Sequence, residues 1–340
     1  MRAELAYLRH LWWPSARRWD PLLAIYYLTW SCDFRCPYCS DGQGNPYPSQ
    51  KAQTLPAKRV LELMGIVRRN CPNVEFTGGE PLLHPEVDQV LEGLPGLGFA
   101  DTILTTNGWH LESRLELVGR AITKLVVSLD TLDHILAERW YGKGEGTLER
   151  IQRAIQAASR LPRTELVVSA VATAENCRGL PEVARFAWDL GATFACYPEL
   201  RGTTAPEGLR EADGYVDLYR FLIEHKRKGR KIFATTKALE WMRDLAAFPC
   251  HPSTLVAIAP GGSVMWPCLE IGKVGGNLFL QPDLNALYAQ AWEAHGGPPR
   301  CGNQCHSACS LGFSSILEHP STLLREAFAD IRGAIRRSTP

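Results

Sequence analysis

The chain predicts an α/β fold built on a parallel sheet, and three observations carry that expectation. Strand-length runs alternate with stretches of helical spacing six times between residues 22 and 200. The first run, LLAIYYLTW (22–30), is continuously apolar and aromatic, as expected of a strand covered on both faces. Polar and glycine residues gather directly after the runs end, at the edge where parallel α/β proteins place their chemistry.

The elements follow in order. Helical spacing over 55–70 leads to the strand NVEFTGG (73–79), then helix 84–94 and the strand ADTILTTNG (100–108). Helix 110–121 precedes KLVVSLD (124–130), and helix 146–161 precedes TELVVSAVAT (164–173). Helix 180–191 and the strand ATFACYPEL (192–200) complete six units. Such alternation requires right-handed crossovers. It suits a doubly wound open sheet or an incomplete barrel equally. Beyond residue 201 the pattern changes to helices at 214–229 and 235–248, then TLVAIAPGGSVMWPC (254–268), two strand-like runs around Pro-Gly-Gly that predict a hairpin. A final amphipathic helix is expected over 322–337. These shifts divide the chain into an arm (1–21), a main domain (22–234), a small α+β domain (235–318) and a C-terminal helix (319–340).

With 340 residues the chain can bury a large core without covalent staples. Its 37 basic and 36 acidic side chains argue against nucleic acid as a partner. No apolar run approaches the roughly 18–20 residues of a membrane span, and the opening segment lacks the features of a secretory signal. A cytoplasmic protein is expected. There, eleven cysteines point to metal sites or buried small hydrophobes rather than disulfides. Cys71, Cys177 and Cys196 stand alone and read as core. The arm mixes Trp12, Trp13 and Trp19 with Arg9, Arg17 and Arg18. It reads as an arm packed on the barrel, with contact to a membrane surface as the lesser alternative.

The chemistry concentrates in SCDFRCPYCSDG (31–42), where Cys32, Cys36 and Cys39 crowd into one loop after the first strand. Structural zinc needs four ligands, so zinc would require His84 or a distant cysteine as the fourth. A [4Fe–4S] cluster held by three cysteines would keep one iron open. The spacing alone permits both.

CDFRCPYC resembles the Cys-x3-Cys-x-aromatic-Cys motif of the radical S-adenosylmethionine (SAM) superfamily, and Gly78-Gly79-Glu80-Pro81 resembles that family's Gly-Gly-Glu-Pro motif. The resemblance covers roughly residues 22–200. It implies a partial (β/α)6 TIM-type barrel in which Cys32, Cys36 and Cys39 hold a [4Fe–4S] cluster and SAM chelates the fourth iron. Gly78, Gly79 and Glu80 would contact the SAM amino group, and Tyr38 would lie near the adenine. Asn107, Ser128 and Asp130, with Ser169 as a weaker candidate, would meet the SAM carboxylate or ribose. The competing roles are a turn residue for Asn107 and helix caps for Ser128 and Asp130. The implied reaction is reductive cleavage of SAM to a 5′-deoxyadenosyl radical that abstracts hydrogen from substrate. A flavodoxin- or ferredoxin-type reductant would supply the electron.

Cys250, Cys268, Cys301, Cys305 and Cys309 resemble a SPASM- or twitch-type auxiliary-cluster domain, with departures. Five residues separate Gly262 from Cys268 where the pattern has four, and no cysteine follows Cys309. One auxiliary [4Fe–4S] cluster is expected, with a zinc site as the alternative. Glu199, Tyr197 and Arg201 close the sixth strand and are the candidates for proton transfer. Peptide-modifying relatives carry an N-terminal recognition domain, and only the 1–21 segment precedes the first strand here. A small-molecule substrate is therefore expected, ahead of a ribosomal peptide. The readings of another class are a zinc-stabilised binding protein and an iron–sulfur electron carrier.

Overall fold

The computed structural model describes residue 19 and residues 21–40, 44–49, 53–297 and 305–321. Cys301, most of the arm and the helix expected over 322–337 lie outside the described residues, as does the side chain of Cys309.

Six parallel strands form the wall: β1 (Leu23–Thr29), β2 (Asn73–Gly78), β3 (Asp101–Thr106), β4 (Lys124–Ser128), β5 (Glu165–Ala172) and β6 (Thr193–Pro198). Each pairs with the next in the chain. Every crossover therefore steps in one direction, which curves the sheet into a partial barrel. A doubly wound sheet would reverse at a switch point, so the strand order resolves what periodicity left open.

Between the strands lie α1 (Ala57–Arg68), α2 (Val87–Gly93), α3 (Leu115–Ala121), α4 (His134–Tyr141), α5 (Thr147–Ala158) and α6 (Leu180–Asp189). Alternate strand residues are fully buried, among them Tyr26, Phe76, Leu104, Val127, Val168 and Phe194. They share one core with helix residues such as Val60, Leu63, Met64 and Val67 of α1. Each such side chain contributes about 1.5–3 kcal/mol by leaving water. The intervening positions Ile25, Glu75, Thr77, Thr105, Ser128, Ser169 and Tyr197 stay partly exposed on the concave face.

The strand–helix alternation does not anticipate α4. Asp133 caps this short helix by accepting from Leu136 N (2.9 Å), and Gly142 ends it in a left-handed conformation.

After β6 come α7 (Tyr215–Arg227) and α8 (Thr236–Asp244), then β7 (Leu255–Ile258), β8 (Ser263–Trp266) and β9 (Lys273–Asn277). The predicted hairpin forms: β7 and β8 pair antiparallel across Pro260-Gly261-Gly262. β7 also pairs parallel with β1, so the nine strands run in one sheet, β6-β5-β4-β3-β2-β1-β7-β8-β9. Helices α9 (Leu284–His295) and α10 (Ala308–Glu318) follow. Trp19 is 1% exposed, donates from Nε1 to Leu255 O (3.0 Å) and meets Trp266 edge-on. That residue of the arm is packed against β7 and β8, away from any surface. Among the described residues, no helix is long and apolar enough to cross a membrane.

Candidate active site

The cysteine loop leaves β1 at the open end of the wall and is clamped by residues after β3 and by α4 and the turn that follows it. Asp33 accepts from Lys143 Nζ (2.7 Å), His110 Nε2 (3.0 Å) and Asn107 Nδ2 (3.1 Å). Phe34 stacks on Tyr141 at 4.9 Å, and Arg35 N donates to Tyr141 O. Tyr38 lies edge-on to Trp140 at 5.0 Å and donates its hydroxyl to Asp130 Oδ2 at 2.5 Å. The end of α4 and the turn after it thus grip the loop from Asp33 to Tyr38.

The three thiols influence one another. Burial raises Cys36 well above the usual thiol range, with Asp130, Cys39 and Cys32 adding negative charge nearby. Burial likewise pushes Cys32 up to about 11. Thiols held so high become thiolates only when a cation offsets their charge, which is how metal binding drives proton release. Among the described residues, no group of three His, Cys, Asp or Glu is spaced to hold a single metal ion. A cluster that takes one thiolate per iron is a larger body and suits three thiols on one loop. His84 does not offer itself as a fourth ligand: its Nε2 pairs with Leu55 O (2.9 Å), and its Nδ1 accepts from Glu86 N (3.1 Å).

The Gly-Gly-Glu segment presses against this loop. A Cβ on Gly78 would lie 2.2 Å from Thr29 O, and one on Gly79 would lie 2.2 Å from Ser31 O. Only glycine permits the hydrogen bonds Gly79 N to Thr29 O (2.9 Å) and Glu80 N to Ser31 O (2.7 Å). Glu80 is fully buried, and its carboxylate accepts from Leu82 N, Thr106 Oγ1 and Asn107 N at 2.9, 2.8 and 2.7 Å. Burial outweighs those donors and lifts its carboxyl to about 7. Its oxygens tie the end of β2 to the end of β3.

Asp130 is likewise held by protein partners. Its Oδ1 accepts from Val171 N (2.8 Å), and its Oδ2 takes the Tyr38 hydroxyl and, at 3.4 Å, that of Tyr141. With 4% exposure it is a bracket between loop, helix and β5. The hydroxyl of Tyr38 is committed to it, leaving only the ring for a ligand. Asn107 accepts from Trp109 N (2.9 Å). Ser128 and Ser169 sit side by side in the β4–β5 register and are partly exposed on the concave face. Glu199 pairs with Arg201 at 3.2 Å, and Tyr197 lies partly exposed on β6.

Residues 26–174, the segment just described, match the model of the Radical SAM superfamily. Residues 26–174 thus form a radical SAM domain. GTP 3',8-cyclase of Rhodococcus opacus is 30% identical over 232 residues, 64% of this chain and 63% of that protein. Probable GTP 3',8-cyclase of Methanocaldococcus jannaschii is 30% identical over 170 residues, 48% of this chain and 54% of its own length. The chain thus spans less than two thirds of either relative. Among solved structures, Streptococcus suis SuiB bound to S-adenosylmethionine aligns with a TM-score of 0.62 at 18% identity, over 79% of this chain and 66% of that one. The enzyme anSMEcpe with bound AdoMet aligns at 0.62 and 16% identity, over 91% and 97%. These likenesses establish the fold shared with the radical SAM domain.

Beside the radical SAM domain, Cys268 follows β8. Its thiol is pushed up by burial first, then by neighbouring Glu270, with Cys305 contributing. Cys250 and Cys305 are partly buried, while Cys71, Cys177 and Cys196 are fully buried, as lone core cysteines should be. A cavity of about 160 Å³ lies between the concave face, at Tyr27, Glu75 and Thr77, and the turn carrying Cys268 and Glu270. Glu75, Asp33, Lys143 and Glu270 were not legible as site residues. The one available signal was Glu75, a charge within the apolar strand NVEFTGG.

Proposed function

We propose that the chain is a radical SAM enzyme that takes hydrogen from a small polar molecule. The observation that carries this reading is the cysteine loop seated on Gly78 and Gly79 by contacts that tolerate no Cβ. When bound, a [4Fe–4S] cluster on Cys32, Cys36 and Cys39 supplies the electron that splits SAM into methionine and a 5′-deoxyadenosyl radical. The chain's own residues hold and shield. Asp33 and Asp130 fix the two halves of the loop, Glu80 fixes the strand ends beneath it, and Ser128 and Ser169 offer hydroxyls along the wall. The Tyr38 ring offers a flat apolar face. Glu199, Tyr197 and Arg201 border the far end of the wall and are the candidates to move a proton.

Cys250 and Cys268, with two of Cys301, Cys305 and Cys309, would hold one auxiliary cluster in a twitch-like segment. The GTP 3',8-cyclase relatives make a purine nucleoside triphosphate the first substrate to test. A small reducing protein of the flavodoxin or ferredoxin type would deliver the electron.

Protein purified without oxygen should be brown, with about eight iron atoms for two clusters, and should form 5′-deoxyadenosine from SAM and dithionite. Cys36→Ala should abolish that cleavage, whereas Cys268→Ala should spare part of it and lose turnover. Colourless protein with stoichiometric zinc would support a zinc-stabilised binding protein instead. Iron without 5′-deoxyadenosine would support an electron carrier.

A further inference from the structure

Asp33 lies inside the cysteine motif, directly after Cys32. Its side chain is only 16% exposed, and a carboxylate there is costly on two counts. It loses water, and it adds negative charge beside a cysteine that must become a thiolate to hold iron. The Asn107 amide (3.1 Å) and His110 Nε2 (3.0 Å) satisfy lone pairs on it. An amide donor leaves the charge itself in place. The Lys143 ammonium, at 2.7 Å and 22% exposed, supplies the opposite charge. Burial works against ionisation of Asp33, yet Lys143, Asn107 and His110 together hold its carboxyl below the usual range. The pair is therefore a carboxylate and an ammonium at neutral pH.

The turn after α4 is built to deliver Lys143. Gly142 and Gly144 flank it, and both are left-handed, with φ of 68° and 82°. A Cβ on Gly142 would lie 3.3 Å from Arg35 Cδ, so the turn and the cysteine loop are in contact. The ammonium also lies 5.2 Å from the centre of the Trp109 ring, and Trp109 meets Phe34 at 6.2 Å. The cation is thus held between a carboxylate of the loop and an aromatic ring that packs on the loop.

We infer that Lys143 neutralises Asp33 so that the cluster carried by Cys32, Cys36 and Cys39 accepts its electron more readily. One-electron reduction adds a negative charge, and nearby net charge is one of the factors that set the potential of an iron–sulfur centre. The electron comes from the small reducing protein named above, which is oxidised in the exchange; no bond forms or breaks. Lys143 acts through Asp33, as a positioning residue. This inference rests on the radical SAM reading above.

The test is a potentiometric titration of the reconstituted holoenzyme, followed by electron paramagnetic resonance. The resonance that changes when SAM is added marks the cluster of Cys32, Cys36 and Cys39. Lys143→Gln keeps a hydrogen-bond donor and removes the charge. At a fixed applied potential its ratio of reduced to oxidised cluster should be about tenfold lower than in the wild type, or ~59 mV for one electron. Asp33→Asn should move the ratio in the opposite direction, and the double variant Asp33→Asn/Lys143→Gln should return it close to the wild type. Lys143→Arg, which keeps the charge, should match the wild type. Iron per chain and circular dichroism check each variant, and if Lys143→Gln loses its cluster, Asp33→Asn decides the question. A wild-type potential in every variant that holds its cluster overturns the inference and leaves the radical reading standing. So do shifts of the same sign in Lys143→Gln and Asp33→Asn, and so does loss of the cluster in both single variants and the double variant, which would make the pair a clamp alone. A wild type that takes up no cluster, or whose clusters do not respond to SAM, sinks the radical reading and this inference with it.

Discussion

At the scale of the residue, two buried carboxylates, Glu80 and Asp130, set the geometry of the site. Glu80 keeps its proton up to about pH 7 in the folded chain, against 4.5 for an ordinary glutamate. Between those values the unfolded chain has lost a proton that the folded chain retains. Stability must therefore fall as pH rises from about 4.5 to about 7 and level off above. Urea unfolding of the apoprotein should show that decline, and Glu80→Gln should flatten it; an unchanged slope in the variant would sink the assignment. Asp130 anchors Tyr38, Tyr141 and Val171 at once. Asp130→Ala should cost about 3 kcal/mol or more in urea midpoint analysis, because it strands several buried donors, and should lower the iron content that the loop retains. Neither role was legible. SLD and TGGEP read the same whether their carboxylates face a ligand or a neighbouring strand. The cysteines were legible because three thiols in eight residues have few structural uses.

At the scale of the element, the decisive contact is the end of β2 lying against the backbone that follows β1. Gly79→Ala would place a methyl 2.2 Å from the Ser31 carbonyl. Such overpacking costs about 1–3 kcal/mol, and relief can come only from moving the cysteine loop. The variant should show a lower melting temperature together with reduced iron per chain on reconstitution. An unperturbed iron content would mean that the loop tolerates the shift. The strands and their order of appearance were readable from apolar runs, and so was the β7–β8 hairpin. Helix α4 was not: its short run HILAERWY mixes charges and aromatics. Its value lies in what Trp140 and Tyr141 touch, Tyr38 and Phe34 of a loop about a hundred residues earlier.

At the scale of the whole molecule, β7 hydrogen-bonds to β1, and the segment after residue 235 adds three strands to the wall that carries the cysteine loop. Trp19, Trp266 of β8 and Tyr288 share one aromatic cluster. The chain should accordingly unfold in one transition, with tryptophan fluorescence and far-ultraviolet circular dichroism giving coincident midpoints in urea. A chain cut after residue 249 should lose that cooperativity, since the β1 edge is left unpaired. Two separate transitions in the full chain would show that the last three strands fold independently of the wall.

The sequence by itself determined the parallel α/β architecture, the loop that gathers Cys32, Cys36 and Cys39, and the glycines that must lie beside it. Apolar periodicity, ligand spacing and the absence of a Cβ act locally, so they are written in adjacent residues. Tertiary structure alone decided that the strands run in sequential order, that Glu80 and Asp130 brace the site from behind, and that Glu75 lines a cavity beneath it. The direction a carboxylate faces, and the cost of its burial, depend on partners from other strands, and these meet only when the wall curves.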